Sequence, residues 1–127
     1  MAPAGVPGPA TDLVLLHGTT IHRAQAICTS QSFTGTDPLY VVFRMHRDLA
    51  EFFARRKAAR ERSAPAVVRV TVPEHQFSEM RKRGEAWLQA FDHQDDPFLQ
   101  RRNQWVISAP GIAQLNRHLL EIEYDLL

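Results

Sequence analysis

The stretch Leu13-Val-Leu-Leu-His-Gly-Thr19 constrains this chain most. Its four consecutive apolar residues read as a buried strand. The strand is expected over Asp12–Leu16, so His17 and Gly18 arrive where it ends. Thr19 or Thr20 then stands as a helix N-cap, because a side-chain hydroxyl there accepts from a free N–H of the first turn. Ile21–Cys28 follows as a short helix with Ile21, Ala24 and Ile27 inward and His22, Arg23 and Gln25 outward. A histidine and a glycine at a strand-to-helix junction put a ring donor and an unobstructed backbone at the mouth of a cleft. Glycine lets a ligand come close to the main chain, which suits a nucleotide.

Further along, strands and helices alternate. Ser30–Pro38 reads as a loop with Phe33 tucked beneath it, and Leu39-Tyr-Val-Val-Phe43 as a strand rich in β-branched and aromatic residues. Asp48 is placed to cap a helix from Leu49 to about Glu61. Leu49, Phe52, Phe53 and Arg56 share one side of it, while Arg55, Lys57, Arg60 and Arg62 occupy the exposed remainder. Ser63-Ala-Pro65 ends that helix, Ala66–Val72 forms a third strand and Pro73 stops it. Ser78–Phe91 is expected as a helix with Met80, Trp87 and Phe91 in the core, and Asp92–Asn103 as a long polar loop. Gln104–Ser108 is the fourth strand, Ala109-Pro-Gly111 a turn, Ile112–His118 a short helix or loop, and Leu119–Tyr124 a closing strand. The sum is one small α+β domain over 12–127 with mostly antiparallel strands and short helices. A Pro/Gly/Ala-rich tail over 1–11, expected to be flexible, precedes it.

Composition narrows the classes. The chain has 127 residues, enough for a single modest core, and a formal net charge of +1, so no global bias points to nucleic acid or membrane. Cys28 is the only cysteine, which excludes an intrachain disulfide and a multi-cysteine zinc site and fits a reducing cytoplasm. No apolar run is long enough to span a bilayer, and the N-terminus lacks the basic and apolar regions of a secretory signal. His22, His46, His75, His93 and His118 share no metal-ligand spacing, so no metal is expected. The basic run Arg55–Arg62 reads as a solvated helix face, with a grip on nucleic acid or an acidic partner as the alternative.

His17, Tyr40 and Gln104 each sit at the edge of an apolar strand, where a polar side chain can enter a cleft. Leu15-Leu-His-Gly-Thr19 before a short helix, Leu39-Tyr-Val-Val-Phe43 leading into a helix, and Asn103-Gln-Trp-Val-Ile107 occur in that order. In these motifs the chain resembles the ADP-ribosyltransferase superfamily, in the branch shared by poly(ADP-ribose) polymerases and diphtheria-type toxins. That branch carries a His–Tyr–Glu signature on three separate strands. The resemblance covers roughly Leu13 to Tyr124.

It implies a split sheet around an NAD cleft. His17 would donate to a ribose hydroxyl on the adenosine side, Gly18 would pair its backbone with the nicotinamide carboxamide, and Thr19 would shape that turn. Tyr40 would stack on the nicotinamide, and Phe53 or Phe52 would cover the other face. Gln104 stands where the family has its glutamate. An amide accepts the same hydrogen bond without negative charge. Charged hydrogen bonds contribute about 1.5–3 kcal/mol against about 1 for neutral ones, a difference of roughly one to two decades of rate. Glu51, Asp95 and Asp96 are the acids that could stand in.

The implied function is transfer of a single ADP-ribose from NAD, without metal, to an unknown protein or nucleic-acid acceptor. A small cytoplasmic toxin or effector with an inhibitory partner protein would fit it. The alternatives are a catalytically weakened module that binds NAD or ADP-ribose, an NAD glycohydrolase, RNA 2′-phosphate transfer, and a nucleic-acid-binding domain using the basic helix.

Overall fold

A computed structural model describes residues 11–34, 38–91 and 96–127. Residues 1–10 of the expected tail over 1–11, together with His93 and Asp95, lie outside the described residues. The elements are β1 (Asp12–Thr20), α1 (Ile21–Ser30), β2 (Leu39–Phe43), α2 (Arg47–Glu61), β3 (Pro65–Pro73), α3 (Glu74–Lys82), β4 (Ala86–Ala90), β5 (Asn103–Ile107), α4 (Ala109–Arg117) and β6 (Glu121–Leu126). A short 3-10 turn, Arg44–His46, leads into α2. The strands form one six-stranded sheet in the order β4-β5-β2-β1-β3-β6. Every neighbouring pair is antiparallel. The chain is therefore a small α+β domain, as its pattern implied.

Both faces of the sheet are covered, which explains why its central strands are apolar almost throughout. On one face Leu15, Val41, Val68, Val70 and Ile107 pack with Ala24 and Ile27 of α1, Phe77 and Met80 of α3, and Ile112 and Leu115 of α4. On the other, Leu16, Val42 and Val67 pack with Leu49, Ala50 and Ala54 of α2. Helix α2 sits unusually close. A Cβ placed on Gly18 would come 2.1 Å from the Ala50 carbonyl oxygen and 2.8 Å from the Ala54 nitrogen. The space that glycine leaves above β1 is taken by the backbone of α2.

Strand β1 runs on to Thr20, so His17, Gly18 and Thr19 are strand residues opposite Val68, Val67 and Ala66 of β3. The valine-rich β3 carries the ladder past the point where the apolar run stops. Thr20 takes the N-cap position of α1 but makes no side-chain cap bond. Helix α2 begins ahead of Asp48, which sits in its first turn; the Asp48 carboxylate accepts from the Leu49 N–H and from both terminal nitrogens of Arg102.

The largest departure lies between Ser78 and Phe91. The helix starts at Glu74, directly after Pro73, and ends at Lys82. Gly84, at φ 73°, then turns the chain in a conformation that suits glycine, and Ala86–Ala90 becomes strand β4 on the outer edge of β5. Met80 and Phe91 are buried as expected, but Trp87 is 43% exposed. Ala109-Pro-Gly111 opens α4 rather than turning the chain, since a proline is tolerated in a helix's first turn. Strand β6 starts at Glu121, two residues later than the alternation suggested. Residues 96–102 of the expected polar loop fold as turns that bury Leu99 against α2. Among the described residues no helix is long and apolar enough to cross a membrane.

Candidate functional site

The site arises where two strands part. Strand β2 pairs with β5 through Leu39, Tyr40 and Val41, and with β1 only through Val42 and Phe43. The β1–β2 ladder stops at Leu16–Val42, and from His17 onward β1 pairs with β3 alone. Into this gap His17 Nδ1 donates a hydrogen bond of 2.8 Å to the Tyr40 carbonyl, and Phe33 meets the imidazole edge-on at 5.9 Å.

Burial controls the charge of this histidine. His17 is 8% exposed, and desolvation pulls its pKa down to about 4. The Tyr40 carbonyl opposes that shift, while the positive Lys57 and Arg23 reinforce it. The ring is thus neutral at neutral pH. With Nδ1–H committed to a carbonyl, Nε2 carries the lone pair. His17 can therefore accept from a hydroxyl through Nε2, whereas the resemblance implied that it would donate.

A cavity of about 260 Å³ opens beside the gap. From the sheet it is lined by His17, Gly18, Tyr40 and Gln104. Strand alternation and register put Leu16, Gly18, Tyr40 and Gln104 on the face that α2 covers. His17 starts from the opposite face and reaches the cavity through the parted strands. From α2 the lining comes from Phe53, Arg56, Lys57 and Arg60. So His17, Tyr40 and Gln104, on three different strands, border one hollow.

Two expected residues are not part of that lining. Phe52 stacks on Phe98, with centroids 4.6 Å apart and planes 17° from parallel; its helix neighbour Phe53 faces the cavity instead. Adjacent helical residues point about 100° apart, so only one of the pair can do so. Thr19 is buried on β1 outside the lining, and its hydroxyl has no hydrogen-bond partner. Nor does a described stand-in acid reach the cavity. Glu51 is held by Arg47 at 2.8 Å, and Asp96 accepts from the Phe98 N–H. Among the described residues the lining holds no carboxylate.

The cations of α2 are what the sequence reading missed. Arg56, Lys57 and Arg60 line the cavity, although their run reads as a solvated face. The available signal was spacing: Ala50, Phe53, Lys57 and Arg60 recur at intervals of three and four along one helix face. Among the described residues none of these cations is ion-paired, whereas Arg23, Arg47, Arg69 and Arg102 all hold carboxylates. Arg56 lies over the Phe52 ring at 6.0 Å. Burial, reinforced by nearby Arg23 and Arg60 and opposed by Glu61, holds the Lys57 ammonium below the usual lysine range. Chemically the hollow offers a neutral imidazole, a half-exposed phenol, an amide, a phenyl ring and three cations. That set suits an anion joined to a planar ring. No group of three metal-ligating side chains occurs among the described residues. Comparison with protein-family models, curated proteins and solved structures found no match for the chain.

Proposed function

We propose that this protein is an NAD-dependent mono-ADP-ribosyltransferase. The observation that carries the proposal is the convergence of His17, Tyr40 and Gln104, from three separate strands, on one cavity. The surrounding chemistry supports NAD as co-substrate. The half-buried, unpaired Lys57 attracts a pyrophosphate in a described lining that holds no carboxylate, and Tyr40 and Phe53 offer rings for a planar base. The cavity, at about 260 Å³, lies just below the roughly 300 Å³ floor of typical ligand pockets. One half of a dinucleotide would enter it, and its pyrophosphate would lie over Lys57 of α2.

On this proposal Tyr40 and Phe53 flank the nicotinamide, and His17 Nε2 accepts from a ribose hydroxyl. Gln104 accepts from the 2′-hydroxyl of the nicotinamide ribose. The acceptor's lone pair forms a bond to the anomeric carbon while the bond to nicotinamide breaks. Nicotinamide leaves neutral with the bonding electrons, and the acceptor's proton passes to water. The protein contributes position and electrostatics. A neutral Gln104 favours transfer of one unit over chain growth. A toxin or effector role in the cytoplasm goes with the same proposal.

The absence of a carboxylate from the described lining also favours a second possibility, a module that holds NAD without turning it over. Incubation with NAD and chromatographic measurement of nicotinamide separates the two. Nicotinamide release with label on a macromolecule is the expected result. Release with free ADP-ribose alone means hydrolysis, retention of NAD without release means a binding module, and neither binding nor release overturns the proposal. Gln104→Glu should raise the release rate by about one to two decades, because it restores a charged hydrogen bond. Equal or lower activity would remove Gln104 from the site.

A further inference from the structure

The sheet face that carries Tyr40 and Gln104 does not end at the cavity. Register places Trp87 of β4 opposite Val106 of β5, and Val106 opposite Tyr40 of β2. The three share a face, so Trp87 and Tyr40 flank Val106 about 10 Å apart, two inter-strand spacings. Val106 is buried, while Tyr40 and Trp87 are 42% and 43% exposed. The next row pairs Gln104 with Gln89, which sets two amides beside the two aromatics. Strand β4, Ala86-Trp-Leu-Gln-Ala90, carries no charge at all. Beyond the cavity the same sheet face thus carries a neutral platform of rings and amides, and the cavity's own α2 wall holds Arg56, Lys57 and Arg60.

The described lining of the cavity holds no acidic group. Glu121, Glu123 and Asp125 stand on β6, at the far edge of the sheet. There Arg69 pairs with Glu123 and Asp125, and Arg47 with Asp125, whereas among the described residues the cations at the cavity have no ion-pair partner. Unpaired cations beside exposed aromatic rings form the combination that binds single-stranded nucleic acid, where phosphates meet charge and unstacked bases lie on π-faces. An acidic peptide would use the cations but has no need of the rings. A duplex keeps its bases stacked and cannot offer one to a flat indole.

We infer that single-stranded nucleic acid docks across the cavity mouth, its phosphates on the exposed Arg56 and Arg60, which leaves the half-buried Lys57 to the NAD pyrophosphate, and a base on Trp87. Resting on the transferase proposed above, this makes nucleic acid the acceptor class. The docked strand would bring a base nitrogen or a hydroxyl to the anomeric carbon, lose its proton to water and displace neutral nicotinamide.

Fluorescence anisotropy of a labelled mixed-sequence 12-nucleotide DNA strand on the full chain tests it. With phosphates on two cations, the logarithm of the binding constant should fall with log salt at a slope of about −1.4. Trp87→Ala should weaken binding about tenfold to a hundredfold with the fold intact by circular dichroism, and Trp87→Phe should recover most of that loss. Oligonucleotide should also quench the emission of Trp87, because Trp105 is only 6% exposed. Equal affinity of Trp87→Ala and wild type overturns the inference, as does equally tight binding of the same sequence as a duplex or of polyglutamate. Nicotinamide release without oligonucleotide binding would overturn this surface and leave the transferase standing. Oligonucleotide binding with neither NAD binding nor release would do the reverse.

Discussion

Strand β1 is paired with β3 over nine successive positions and with β2 over only two. On the closed side, backbone groups satisfy one another, and Val67, Val68, Val70 and Val72 fill the cores to either face. On the open side the ladder ends, a neutral imidazole bridges the gap to the Tyr40 carbonyl, and the Thr19 hydroxyl is left without a partner. Buried polar groups are normally satisfied, so the orphaned Thr19 hydroxyl is an exception on the side where pairing ends. The same strand supplies scaffold along one edge and chemistry along the other.

Gly18 stands where the two sides meet, and changing it should have the largest effect. Gly18→Ala forces a methyl group into the backbone of α2 at Ala50 and Ala54, where no side chain can swing away. It should cost about 3 kcal/mol or more in urea unfolding. A loss below 1 kcal/mol would mean that α2 does not seat on β1 as described.

Next comes pH. The His17 pKa falls from an ordinary 6.5 to about 4 in the fold, so between those values the unfolded chain binds more protons. Stability from the neutral ring is complete above pH 6.5 and is lost as pH falls toward 4, by about 3 kcal/mol. His17→Gln should abolish most of that slope while keeping a donor for the Tyr40 carbonyl. An unchanged slope in the variant would place the titrating group elsewhere. The carboxyls of Asp48 and Asp125 are held below their ordinary range chiefly by Arg102 and Arg69 respectively, and they lose their contribution at lower pH still.

The smallest effects sharpen the contrast directly. Val68→Ala, on the closed side opposite His17, should cost about 2 kcal/mol of stability and leave NAD retention unaltered. Tyr40→Ala, on the open side, should cost less than about 0.5 kcal/mol of stability. It should weaken NAD retention by the roughly 0.5–1.5 kcal/mol of a lost stacking partner. If Tyr40→Ala destabilises the fold more than Val68→Ala, the division between scaffold and site is misdrawn.

Much of this was legible along the chain. β2 begins and ends at Leu39 and Phe43 as its β-branched and aromatic residues indicate, and β3 exceeds its apolar run by one residue at each end. The order of His17, Tyr40 and Gln104 on strands was visible too, because each adjoins or interrupts an apolar run. β4 was hidden, since Ala, Leu and Gln are good helix formers and only the free edge of β5 makes Ala86–Ala90 a strand. The cations of α2 were visible as a run. Which of them look into a hollow depends on where the sheet parts beneath them.

The sequence by itself determined five of the six strands and most of the helices, because burial pattern and local propensity act over a few neighbouring residues. It also determined that no intrachain disulfide could form, since Cys28 stands alone. Only the tertiary structure decided that Gly18 serves helix packing, that Phe53 rather than Phe52 faces the cavity, and that His17 is a neutral acceptor. Each of these depends on a group brought in from far along the chain: the backbone of α2 over β1, Phe98 against Phe52, the Tyr40 carbonyl against the imidazole. A cavity is the place where pairing stops, and pairing is a property of two strands together.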